Sequence, residues 1–135
     1  MALFAWNQQM SVGMAKIDKE HQGLFDIINQ LHTAMLGGRG NEALRPVLAH
    51  LVEYTKFHFG HEVGLLRMHG YPGLVDHLKL HEVFRAKVGE LDAQVKAGTL
   101  ALSVTVLEFL RDWLVNHIVG TDMQYKDFMS TKGVK

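Results

Sequence analysis

Residues 47–65 read VLAHLVEYTKFHFGHEVGL. Stepping by three and four from Val47 meets Leu51, Tyr54, His58, Glu62 and Leu65. One face of a helix is therefore apolar at both ends and carries an imidazole and a carboxylate between them. His58 and Glu62 occupy positions where Leu or Val ordinarily packs. A buried polar group without a partner costs about 1–3 kcal/mol, and an unpaired carboxylate costs more. This stretch thus predicts a core helix whose interior needs something polar to satisfy it.

The same spacing recurs on both sides. Leu24, Ile28, Leu31 and Met35 form a stripe that His21 joins three residues earlier, predicting a first helix from Asp18, as N-cap, to Gly37-Gly38. The second helix begins after Asn41, with Pro46 tolerated in its first turns, and ends near Met68-His69-Gly70. A third starts around Pro72, carries Leu74, Leu78, Phe84, Val88, Leu91 and Val95, and closes at Gly98. His77 and His81 fall on its stripe. A fourth, capped by Ser103, sets Val106, Leu110, Trp113, Leu114 and His117 inside. Short connections make neighbouring helices antiparallel. The expected fold is all-α: a single domain over residues 1–135, an up-down-up-down four-helix bundle. An N-terminal arm with Phe4, Trp6 and Met10 crosses one end, and a short helical tail follows Asp122.

Composition narrows what this layer can hold. The chain has no Cys, which removes disulfides, thiolate zinc sites and iron–sulfur clusters. Fourteen Lys+Arg balance fourteen Asp+Glu, so no summed field favours nucleic acid or an anionic membrane surface. MALFAWNQQM lacks the pattern of a signal peptide, and no apolar run is long enough to insert in a membrane. A cytoplasmic, monomeric protein is expected.

Nine His are present, and five of them share the inner layer with two carboxylates. Pairs four apart, His58 with Glu62 and His77 with His81, stand about 6 Å apart on one face and can chelate. His117 and Asp122 are five apart, about 140° round an ideal helix, so they reach one site only where the helix widens or ends. Gly120 between them is a candidate for permitting that distortion. Seven donors exceed one zinc site, and N/O donors with bridging carboxylates suit two ions of iron or manganese. With Glu62, Asp122 and one solvent oxygen bridging, about six ligands per ion are reached on one side by three His. Two His on the other side leave one position vacant, as a small ligand such as O2 requires.

At these residues the chain resembles the hemerythrins, specifically the single-domain bacteriohemerythrins. The matching elements are the Trp6 arm, IDKEH ending at His21, HFGHE from His58 to Glu62, YPGLVDHLKLH from Tyr71 to His81, and WLVNHIVGTD from Trp113 to Asp122. The resemblance implies reversible O2 binding, for storage, transport or delivery, at two non-haem irons joined by an oxo/hydroxo bridge. It implies His77, His81 and His117 on the closed iron, His21 and His58 on the open one, and Glu62 and Asp122 bridging. Phe59, Trp113, Leu114 and Ile118 match positions lining the family's O2 pocket, with Leu24 beside them. Tyr71 and Tyr125 also match family positions.

His32, His50, His61 and His69 receive no role; His61 sits one step off the inner stripe and reads as a solvated residue. Gly60 and Gly64 point either to close helix packing or to a small-molecule path. The rival reading is a di-iron redox enzyme, or an oxygen-, nitric oxide- or iron-responsive protein using the same site. Oxygen-activating bundles favour carboxylate-rich sets with paired Glu-x-x-His, whereas this set is rich in histidine, so a non-enzyme is expected. The length leaves no room for a sensor's output domain.

Overall fold

A computed structural model describes residues 5–98 and 104–135, with the side chains of Asn41 and residues 104–106 excepted. Phe4, Ser103 and the side chain of Val106 lie outside that description. Among the described residues the chain forms α1 (Ala15–Leu36), α2 (Gly40–Met68), α3 (Leu74–Lys96), α4 (Val104–Val115) and α5 (Lys126–Thr131). α2 packs against α1 and α3, and α1 against α4, the arrangement of an antiparallel four-helix bundle. At 1.5 Å per residue α1, with 22 residues, is about 33 Å long.

Helix ends follow local chemistry. Gly38 (φ 76°) and Gly98 (φ 74°) take the left-handed conformation that lets the chain leave α1 and α3. The predicted N-cap at Asp18 is corrected. The N-cap is Met14, four residues earlier, and the Asp18 carboxylate accepts hydrogen bonds from Ser11 Oγ (2.5 Å) and the Val12 N–H (2.8 Å). Asp18 therefore ties down the arm. Pro72 likewise precedes its helix, in the turn before Leu74. Pro46 lies in the second turn of α2, on its exposed face.

The core is divided. A larger apolar cluster includes Leu24, Ile28 and Leu31 of α1, Leu48, Leu51 and Phe59 of α2, Phe84 and Val88 of α3, and Leu110 and Leu114 of α4. Trp6 and Met10 of the arm pack on it. A smaller one joins Val12, Met14 and Ile17 to Leu66, Tyr125 and Met129, so the arm and the tail close that end together. Each fully buried Leu or Ile contributes about 1.5–3 kcal/mol. Five of the seven predicted polar residues lie in sequence between the two clusters: His21 between Ile17 and Leu24, Glu62 between Phe59 and Leu66, His77 and His81 between Leu74 and Phe84, and Asp122 between Ile118 and Tyr125; His58 and His117 border the larger cluster at Phe59 and Ile118. Apolar packing on both sides fixes the layer's height.

Candidate metal centre

His21, His58, Glu62, His77, His81, His117 and Asp122 are all buried, none more than 4% exposed. α1 supplies His21, α2 supplies His58 and Glu62, and α3 supplies His77 and His81. His117 and Asp122 depend on an irregularity. After Val115 the chain widens into a π-helix over Asn116–Thr121 and then tightens into a 3-10 turn over Asp122–Tyr125. The Asp122 N–H reaches the His117 carbonyl, five residues back, so both side chains face the same interior point. Asp122 Oδ1 stands 3.0 Å from His117 Nε2. The required distortion is present, but Gly120 is not its steric cause. Its φ is not positive, and a Cβ there would meet nothing within 4 Å.

Each carboxylate divides its oxygens between two groups of histidines. Glu62 Oε1 lies 2.5 Å from His77 Nε2 and 3.0 Å from His81 Nε2, while Oε2 lies 3.6 Å from His21 Nε2 and 3.5 Å from His58 Nε2. Asp122 Oδ1 faces His117 and His77, and Oδ2 faces His21 at 3.0 Å. Two sets result: Glu62, His77, His81, His117 and Asp122, and His21, His58, Glu62 and Asp122. Within each set the ligand atoms lie within 4.8 Å of one another. The sets share only the carboxylates.

The donor atoms are poorly matched as hydrogen-bond partners and well matched as ligands. His21 Nε2, His58 Nε2 and both Asp122 oxygens are buried without a hydrogen bond. His81 and His117 point Nε2 at Nε2, 3.2 Å apart. Cations between them would satisfy every lone pair, and a set of imidazoles and carboxylates is suited to two iron ions.

Electrostatics agree. Burial alone would push His21 and His117 down. Asp122 and Glu62 outweigh it and raise them to about 9 and about 10. Burial opposes ionisation of Glu62, yet the surrounding imidazoles of His117, His21, His77 and His81 hold it well below the ordinary carboxylate range. Asp122 is also held low, chiefly by His117 and His21, against both burial and the charge of Glu62. His81 is pushed down by burial. Without metal, protons on imidazoles neutralise the carboxylates.

Two residues beyond the predicted set enter the site. Tyr125, fully buried, donates its hydroxyl to Glu62 Oε2 at 2.9 Å, and its ring meets Tyr71 edge-on. Glu20 binds His58 Nδ1 at 2.7 Å and His61 Nδ1 at 2.6 Å. The reading of His61 as simply solvated is corrected: its side chain is 32% exposed and holds a carboxylate. Position in the sequence offered a signal for both, since Tyr125 follows Asp122 by three and Glu20 adjoins His21.

Leu24, Phe59, Leu114 and Ile118 belong to the larger apolar cluster, and Trp113 packs against it. Phe59 stacks on His81 (3.7 Å between ring centres) and Trp113 on His117 (4.5 Å). Phe59 also lies 5.8 Å from the His58 ring. A Cβ at Gly60 or Gly64 would meet nothing within 4 Å, so close helix packing does not explain either glycine. Gly60 instead borders an open groove of about 200 Å³ between α2 and α3 that reaches Phe59 and His81.

Three helices and the widened segment after α4, which together bring five imidazoles and two shared carboxylates into one buried layer, define a two-metal, histidine-rich bundle protein. The model of the hemerythrin HHE cation binding domain matches residues 12–128. The chain belongs to the hemerythrin family. It is 35% identical over 127 residues to a bacteriohemerythrin of Stenotrophomonas maltophilia, covering 94% of this chain and 82% of that one. It is 34% identical over 123 residues to the myohemerythrin of Riftia pachyptila, covering 91% of each. A solved wild-type hemerythrin superposes with a TM-score of 0.87 at 28% identity, covering 96% of this chain and 99% of that one. Among the described residues no helix is long and apolar enough to cross a membrane.

Proposed function

We propose that this chain is a single-domain, monomeric, cytoplasmic O2-binding protein with two non-haem irons joined by an oxo/hydroxo bridge, and that it is not an enzyme. His77, His81 and His117 hold one iron, His21 and His58 the other, and Glu62 and Asp122 bridge. The observation that carries this is the division of the carboxylates: Glu62 turns one oxygen toward His77, His81 and His117 and the other toward His21 and His58, while Asp122 turns one toward His77 and His117 and the other toward His21. Unequal histidine counts leave one position for a small ligand on the two-histidine side. When bound, the irons supply the two electrons that O2 takes up and recover them on its release.

The protein's own groups favour release over reaction. Leu24, Phe59, Trp113, Leu114 and Ile118 form the O2 pocket in this reading. Four of them are at most 4% exposed, which supports a wall that keeps water and stray protons out. Tyr125 O–H is committed to Glu62, leaving it a fixed donor to a bridging carboxylate rather than a free acid. The balanced charge gives no summed field that would draw in nucleic acid.

The iron-loaded protein, reduced without air, is exposed to O2 and then to argon while its visible spectrum is recorded. A ligand-to-Fe(III) band that rises with O2 and bleaches under argon is expected. Immediate irreversible oxidation, or steady consumption of a reductant, would overturn the proposal in favour of a redox enzyme.

A further inference from the structure

Glu20 is a buried carboxylate on α1, placed directly before His21, and it is not among the seven converging residues. Its two oxygens have different tasks. Oε1 lies 2.7 Å from His58 Nδ1, on the side of that ring turned away from the centre, and Oε2 lies 2.6 Å from His61 Nδ1. The main chain is held as well, because Tyr54 Oη donates to the Glu20 carbonyl at 2.9 Å. That contact requires Gly23, where any Cβ would collide with the Tyr54 hydroxyl. One glutamate on α1 is thus locked at both backbone and side chain while gripping two histidines of α2.

An ionised carboxylate only accepts hydrogen bonds, so His58 Nδ1 must carry the proton and Nε2 must turn its lone pair inward. His58 Nε2 is buried, without a hydrogen bond, and faces Glu62 Oε2 at 3.5 Å. The other two rings whose outer nitrogen can be compared lack such support: Nδ1 of His21 and Nδ1 of His81 are buried with no hydrogen-bond partner. Among these three rings the carboxylate backing falls on His58 alone, one of the two histidines of the smaller set.

We propose that Glu20 is a positioning residue for the two-histidine metal position: it fixes the tautomer and ring orientation of His58 and strengthens its donation to the ion, while His61 fastens the free oxygen of Glu20 and screens the pair from solvent. This rests on the reading of His58 as a metal ligand. Loss of an outer carboxylate of this kind weakens metal binding by about 10–100-fold. In Glu20→Ala that loss falls on one of the two ions, leaving the three-histidine position near its original affinity. Glu20→Gln keeps an acceptor without the charge and falls between. His61→Ala, which leaves the Glu20–His58 contact in place, has a smaller effect on affinity and chiefly speeds solvent exchange of the His58 Nδ1 proton.

The test uses the full chain loaded with Zn(II), a diamagnetic ion that needs no O2. In imidazole 15N–1H NMR the native protein should show His58 bound through Nε2, with a strongly downfield, slowly exchanging Nδ1 proton. That proton should shift upfield in Glu20→Gln and exchange rapidly in Glu20→Ala. Chelator competition should then strip one ion from Glu20→Ala before the other. A native protein whose His58 is bound through Nδ1, or whose Nδ1 proton exchanges freely, would overturn the proposal even if neither variant folds. Equal retention of both ions by native protein and Glu20→Ala would do the same. Failure of reversible O2 binding in the iron-loaded chain, with these zinc results intact, would remove the oxygen reading and leave the role of Glu20 standing.

Discussion

Loading the metal-free chain should release protons from two identifiable histidines, one for each ion. His21 belongs to the two-histidine set and is raised to about 9; His117 belongs to the three-histidine set and is raised to about 10. At pH 7.5 both are almost fully protonated, whereas Glu62 and Asp122, held low, have no proton to give. A metal binds only the neutral imidazole, so each ion must expel about one proton from its own set. Calorimetric titration with Zn(II) in buffers of different ionisation enthalpy counts them. About two protons per chain are expected, with a third if a bridging water ionises. Apparent affinity should rise about tenfold per pH unit for each ion and flatten near pH 9 on the two-histidine side, nearer pH 10 on the other. Release of less than one proton per chain, or affinity independent of pH between 6 and 9, would refute the reasoning.

Other consequences follow from the same geometry. The metal-free chain should be most stable between about pH 4.5 and 6.5. His21 and His117, with raised values, contribute fully below about 6.5 and lose that contribution as pH climbs through about 9 to 10. Glu62 and Asp122, with lowered values, contribute above the ordinary carboxylate range and lose it in acid. Denaturant titrations across pH check this, and a flat profile from 6.5 to 10 would contradict it. His77→Ala should reduce iron from two per chain to one or none by elemental analysis; retention of both would remove His77 from the ligand set. Leu114→Ala, at a site 2% exposed, should cost about 2–5 kcal/mol and alter the O2 off-rate or autoxidation. Unchanged kinetics would take Leu114 out of the pocket. Gly60→Ala, with free space at the Cβ, should stabilise α2 by up to about 1 kcal/mol in chemical denaturation.

Most of the bundle was legible because its interior follows the helical period without interruption, and because charged or imidazole side chains at those positions are too costly to be incidental. The same period puts His21, His58, His77 and His81 on the inner face, where they are buried, since they lie within regular α1, α2 and α3. Asp122 was harder. Its approach to His117 depends on a π turn, and five-residue spacing announces only that the regular helix must fail there. Helix starts were less readable: Asp18 looks like an N-cap, but its carboxylate is taken by Ser11 and Val12 of the arm, a contact that periodicity cannot express. Glu20 and Tyr125 were unassigned for a related reason. Each acts by a hydrogen bond spanning 38 or more positions, from Glu20 to His58 and from Tyr125 to Glu62. His61 looked solvated because one face of it is.

The central claim is that two irons share Glu62 and Asp122 and together take up one O2 that can be recovered. Iron content and gas uptake measured on one reduced sample test it most directly. Two irons per chain, with one O2 bound for every two irons and returned under argon, is the predicted result. A single iron per chain, or O2 consumed and not returned, would contradict it.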